Sequence, residues 1–301
     1  MSARALERPR RDVDPGLVHH IEAPATRPAV AGGEARLREL ATALAQAVED
    51  PNFRLPLLPD TAAEALQLAN DPQTPMNRLE RVVARDAALA ARMFAVATSP
   101  AYAGSGLRSL TAALQRLGAG TIRDILYQAV MECHVFRGND RAMRNEREHA
   151  IAVGAIARAL CGEIGFDPQY AFLSGLMHDL GRTALLTLRD RPPVDGVGDD
   201  ELEPLAVMVH AGLGARLAAR WKLPALVCEG VRRHHRYRGF EADGGGYSQL
   251  GHVLALADTM ARRLGAGRRA IAAVEDHDRI AFELGVDPAR ALELATAAAR
   301  G

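Results

Sequence analysis

The residues best suited to chemistry fall in one stretch, Ala171 to Leu186, which reads AFLSGLMHDLGRTALL. His178 and Asp179 interrupt its apolar run, and Gly181 and Arg182 follow at once. An unpaired buried charge is costly, so the pair must either be satisfied by hydrogen bonds or hold a cation. The pair is not isolated. His149 lies 29 residues upstream, and His210, His234, His235 and Asp258 follow downstream. Five of the ten histidines belong to this set, each on or beside an expected helix.

Each position also has a plainer reading. His149 closes the charged string Glu146-Arg147-Glu148, as an exposed residue near a helix start would. His210 sits in an amphipathic helix, where a core histidine satisfied by its neighbours is common. His234 and His235, within RRHHRYR, fit a solvated cationic helix end that complements the C-terminal dipole. Asp258, in LALADTMAR, is an acid on an apolar helix face and is harder to dismiss. Taken singly, only His178, Asp179 and Asp258 favour a site.

The elements that must carry these residues are helical. The chain has 301 residues, 48% hydrophobic but only 4% aromatic, and no run of alternating strand character. An all-α protein is expected. With 37 basic and 37 acidic residues, nothing in the charge balance draws the whole molecule to nucleic acid or an anionic membrane. The local exception is the arginine patch Arg232, Arg233, Arg236 and Arg238, which has no recognisable DNA-binding motif around it. Cys133, Cys161 and Cys228 read as reduced, buried thiols of a cytoplasmic protein. No apolar run is long enough for a membrane span.

Residues 1–33 lack periodicity and read as a disordered leader, whose basic cluster is Arg8, Arg10 and Arg11. Helices are expected over 34–49, from an N-cap at Asp60 or Thr61 to Asn70, over 75–84, and over 87–98. A helix pair over 110–117 and 121–133 follows, hinged at Gly118 and Gly120. The metal-type half then opens with a helix over 141–164 bearing His149 and capped by Gly165. Pro168 starts the helix that leads into His178. The stretch 189–204 reads as a loop, with helices over 204–221, 224–235 and 248–264 after it. Two amphipathic helices complete the chain.

Five motifs occur in order in the first half: LPLLP, NDP, RDAALAAR, TSPAYAG and ALQRLG. Together with the order His149, His178-Asp179, His210, His234-His235, Asp258, they resemble the HDOD (HD-related output domain) proteins of bacterial signalling. Those are a branch of the HD superfamily of metal-dependent phosphohydrolases. The resemblance implies an HD-like helical bundle at 138–264, an N-terminal helical part at 34–137 and a C-terminal helical extension at 265–301. It further implies a first divalent metal at His149, His178, Asp179 and Asp258. A second would be bridged by Asp179 and held by His210, His234 and His235. Imidazoles and carboxylates suit iron, manganese or zinc.

Two departures bear on activity. The HD-GYP phosphodiesterases carry a Lys in HDxGK where this chain has Arg182, and a guanidinium is a poor proton donor. The string Asp243 to Ser248, DGGGYS, imitates DGxGYP, but it lies too far from His235 and ends in Ser. The resemblance therefore implies first a regulatory protein acting through contacts with a signalling partner, around a metal site without an obligatory reaction. The other reading is a phosphohydrolase of a nucleotide or cyclic dinucleotide, with Asp179 and Arg182 as its catalytic residues.

Overall fold

The computed structural model describes residues 31–50, 58–71, 73–97, 110–138, 140–166, 170–235, 246–267 and 277–300. Among them all regular structure is helical. The first half holds α1 (Ala31–Glu49), α2 (Asp60–Asn70), α3 (Met76–Val83), α4 (Ala87–Ala97) and α5 (Leu110–Val130). The second holds α6 (Arg141–Ile164), α7 (Ala171–Met177), α8 (Leu180–Leu188), α9 (Asp199–Arg220), α10 (Ala225–Arg233) and α11 (Gly246–Arg263). α12 (His277–Glu283) and α13 (Pro288–Arg300) close the chain.

Three local expectations are corrected. The glycines at 118 and 120 do not hinge a helix pair; α5 runs straight through them and continues as a π turn, Met131–Val135. Each helical glycine costs about 1 kcal/mol. Burial of Ile122, Ile125, Leu126, Tyr127 and Val130 on the same helix outweighs that. Neither Asp60 nor Thr61 caps α2. Pro59 holds the cap position with φ −52° and ψ 147°, and Asp60 lies in the first turn, where its charge favours the helix dipole. Thirdly, α9 starts at Asp199, five residues before Pro204, so the end of the expected loop is helical. There the Glu201 carboxylate accepts the Gly198 N–H at 3.2 Å.

Other features match. Gly165 ends α6 in the left-handed region, φ 67°. The three cysteines are free, though only Cys161 is fully buried. The leader before Ala31, the TSPAYAG loop, Pro168, Asp243, Gly244, Gly245, Arg236 and Arg238 lie outside the described residues. No helix among the described residues is long and apolar enough to cross a membrane.

One apolar cluster joins both halves of the chain, running from Leu44, Leu66, Val83 and Met93 through Tyr127 to Leu173, Leu185, Leu213 and Val231. A second, with Ile156, Leu160, Val253, Met260, Ile280 and Ala291, fastens α12 and α13 onto α6 and α11. α1 lies on α9, held at its ends by ion pairs Arg36–Glu201 (2.7 Å) and Glu49–Arg216 (2.6 Å).

The most extensive helix contact is α6 against α7. A Cβ built on Gly175 would sit 2.6 Å from the Gly154 Cα and 2.8 Å from the Val153 carbonyl oxygen. Both obstacles are backbone, so neither can rotate away. Gly175→Ala is expected to destabilise the fold by about 2 kcal/mol through overpacking. At the exposed Gly120 a Cβ meets nothing within 4 Å. There Ala should stabilise by roughly 0.5–1 kcal/mol through helix propensity. Urea unfolding followed by far-UV circular dichroism compares the two; equal midpoints would contradict this packing.

Candidate metal centre

Five helix segments deliver the seven candidate side chains. α6 carries His149 two turns beyond its N-cap, Asp140, whose carboxylate accepts the Met143 N–H at 2.8 Å. α7 ends at Met177 and α8 begins at Leu180, so His178 and Asp179 occupy the break between them. Adjacent residues on one helix point about 100° apart, and the break allows both to face the same space. α9 supplies His210, the end of α10 supplies His234 and His235, and α11 supplies Asp258. A Cβ on Gly181 would lie 2.1 Å from the His210 carbonyl oxygen, so this glycine lets α8 and α9 approach closely enough for Asp179 to meet His210.

The residues converge, and six of the seven are buried. His149 and His178 are 0% exposed, His234 1%, His210 3%, Asp179 4% and Asp258 5%. The plainer readings of His149 as an exposed residue and of His234 as a solvated helix end are thus overturned; only His235 lies at an exposed edge.

Three of the histidines are oriented in the same way. The Nδ1 atoms of His178, His210 and His234 each lie 2.7 Å from a backbone carbonyl one turn earlier, of Gly175, Ala206 and Val231. A carbonyl oxygen only accepts, so Nδ1 carries the hydrogen, and in the neutral ring Nε2 is left as a lone pair. These lone pairs are aimed inward. His210 Nε2 is 2.9 Å from His235 Nε2, 3.3 Å from His234 Nε2 and 3.3 Å from Asp179 Oδ1. His234 Nε2 is 3.7 Å from the same oxygen.

On the other side of Asp179, His178 Nε2 is 3.3 Å from Oδ2 and 3.7 Å from Asp258 Oδ1. His178 Nε2 is fully buried and makes no hydrogen bond. His149 Nε2 lies 2.9 Å from Asp258 Oδ1, and its Nδ1 faces the Ala266 carbonyl at 3.3 Å.

Electrostatics separates the imidazoles. Burial lowers His210 below the usual histidine value despite the nearby Asp179. It lowers His234 well below, helped by the neighbouring His235, His178 and His210. Burial also opposes charge on His178, yet Asp179 and Asp258 together raise it to about 10. Burial would raise Asp258, but the Arg262 guanidinium holds its carboxyl well below the ordinary range.

The donor set fits a cation. Two groups form, His149–His178–Asp179 and Asp179–His210–His234–His235, each with its ligand atoms within 4.8 Å of one another and Asp179 common to both. Metal–nitrogen bonds near 2.0–2.1 Å in a tetrahedron put ligand atoms about 3.3 Å apart. The separations of 2.9, 3.3 and 3.7 Å bracket that value on both sides of Asp179. Two facing ring nitrogens 2.9 Å apart require a proton or a cation between them.

Arg182 takes another direction. Its guanidinium hydrogen-bonds the Glu203 carboxylate and lies 3.7 Å from Glu146 Oε1. Arg232 and Arg233 both pair with Glu229. Sequence reasoning missed Glu146, Glu203 and Arg262. The one signal available was spacing: Arg262 stands four residues after Asp258, one helical turn.

Comparison with known proteins is consistent with this arrangement. The family model described as HDOD domain matches residues 55–237. Ribonuclease Y of Clostridium tetani is 28% identical over 120 residues, 40% of this chain and 20% of that protein. The chain spans less than half the length of the curated relatives it matches. A Shewanella amazonensis structure, named provisionally as a metal-dependent phosphohydrolase, superposes with TM-score 0.65 at 21% identity, over 89% of this chain and 99% of that one. A Marinobacter aquaeolei structure, named provisionally as a signal transduction protein, superposes with TM-score 0.57 at 22% identity, over 89% and 64%. At these identities the structures establish a shared fold.

The ring orientations can be tested without a metal. In chelator-treated protein at pH 7.5, nitrogen NMR of the imidazoles should find His210 and His234 as neutral Nδ1–H tautomers and His178 as an imidazolium. Nε2–H tautomers at 210 and 234 would contradict the backbone anchoring.

Proposed function

The chain belongs to the HDOD family, and from that premise we propose that it is a signal-transduction protein built around a divalent-metal centre. His149, His178, Asp179, His210, His234, His235 and Asp258 hold the metal. Its output passes through contacts between its helical surface and a signalling partner. The parts are an N-terminal helical region at 34–137, an HD-like region at 138–264 and a helical extension at 265–301.

The observation that carries the metal reading is the crowding at His210 Nε2, with two further imidazole nitrogens and a carboxylate oxygen within 3.3 Å. Burial disfavours the protonated form of His210 and of His234, so protons alone are a poor way to relieve it. A divalent ion suits four converging lone-pair donors. Support for the regulatory role is of a different kind, namely the family and the Marinobacter relative's name. The Arg182 side chain is taken up by Glu203 and Glu146.

A second reading, a metal-dependent phosphohydrolase of a nucleotide or cyclic dinucleotide, is favoured by the exposure of His235, the one candidate ligand of the seven that is not buried. The metal would there supply Lewis acidity and a water of lowered pKa. Within this chain Asp179 would bridge, His210 and His234 would keep their lone pairs inward, and Arg182 would need to leave Glu203 to reach a phosphate.

Elemental analysis of protein purified without chelators tests the centre. Near-stoichiometric iron, manganese or zinc is expected, lost in both Asp179→Ala and His210→Ala while their circular dichroism is kept. Metal-free wild type after incubation with all three ions would end this reading. Turnover of phosphoesters or cyclic dinucleotides by the loaded protein, abolished in the same variants, would favour the hydrolase.

A further inference from the structure

Asp258 is already bound by a cation of the chain itself. Arg262, one turn along α11, donates from Nε to Oδ1 at 2.8 Å and from Nη2 to Oδ2 at 2.6 Å. Both carboxylate oxygens are engaged in a bidentate pair, the strongest geometry available to a guanidinium and a carboxylate. Oδ1 is in addition 2.9 Å from His149 Nε2. On the other side of Asp179, among the described residues, the guanidinium of Arg182 acts on His210, and its hydrogen bonds are turned to Glu203.

From this asymmetry we propose that the centre fills in a set order. The first ion enters the pocket of Asp179, His210, His234 and His235. The pocket of His149, His178, Asp179 and Asp258 is held back by Arg262. The inference rests on the metal-centre reading above and goes beyond it, because the donor types alone would allow either pocket to fill first.

The physical reason is charge in a buried space. Asp179 and Asp258 bring two negative charges and Arg262 one positive, leaving one net negative charge when the imidazoles are neutral. One dication turns that to a single positive charge. A second would bring it to three, in a cluster where six of the seven donors are at most 5% exposed. It would also have to share Asp258 Oδ1 with a guanidinium nitrogen 2.8 Å away. Arg262 is thus a resident counter-ion that does for Asp258 what a metal would do. Its side chain is partly open to solvent, 24% exposed, so neutralising it leaves the core packing intact.

The test is zinc stoichiometry and affinity on the full chain, by titration against a competing chelator with elemental analysis, and circular dichroism as the check on folding. Wild type should hold one tight zinc per chain. His234→Gln should lose it, and His149→Gln should keep it. Arg262→Gln should take up a second zinc, tightened at least about tenfold relative to wild type by removal of the nearby charge. Arg262→Lys, which keeps the charge, should behave as wild type. Loss of the tight zinc in His149→Gln with retention in His234→Gln would overturn the order. So would two equally tight zinc ions in wild type, unchanged in Arg262→Gln. If a histidine variant fails to fold, the Arg262 pair still decides. No zinc in any form of the protein would sink the metal centre itself, a result distinct from a reversed order.

Discussion

The anchoring of three imidazoles to their own helices sets the terms for the rest of this structure. Each of His178, His210 and His234 gives its Nδ1 hydrogen to a backbone carbonyl one turn back, at 2.7 Å. That single bond fixes the ring plane and points Nε2 away from the helix, and in the neutral rings of His210 and His234 it also selects the tautomer. A surface histidine has no such restraint and turns its nitrogens to water. Here the lone pairs have nowhere to go but toward Asp179. The cost of that concentration is what makes the cluster a plausible seat for a cation and an implausible product of apolar packing alone.

The neighbouring helices are arranged to allow this. Gly175 lets α7 lie on Gly154 of α6, and Gly181 lets α8 lie on α9 at the level of His210. Larger residues at either place would separate the elements that hold the two ends of the cluster. Around it stands an outer ring of charge. Arg262 fastens Asp258, and Arg182 spans Glu146 of α6 and Glu203 of α9. These contacts tie α6, α8, α9 and α11 to one electrostatic centre, so a change of charge at Asp179 is coupled to all of them at short range.

How much of this was legible varied with the range of the interaction. The helical class followed from composition and periodicity, and the HDOD motifs, read in order, identified the family before any coordinates. The α5 hinge at Gly118 and Gly120 was misread because propensity is local, whereas burial of Ile125, Leu126 and Tyr127 is decided by what packs on them. The start of α9 was misplaced for a similar reason: Pro204 marks a boundary in sequence, yet it sits in the second turn of a helix that Gly198 and Glu201 begin earlier.

At the site, the sequence alone determined which residue types were available and in what order, and that is enough to nominate His149, His178, Asp179, His210, His234, His235 and Asp258. It also places Arg262 one turn from Asp258. Only the tertiary structure decided which nitrogen of each ring faces inward, that Asp179 is shared by two groups, that Arg262 occupies both oxygens of Asp258, and that Arg182 turns to Glu203. The reason is distance along the chain. His149 meets Asp258 across 109 residues and Arg182 meets Glu203 across 21. Spacing within a helix predicts neighbours one turn away, but contacts at such separations exist only after the helices have packed and the backbone carbonyls have claimed one side of each ring.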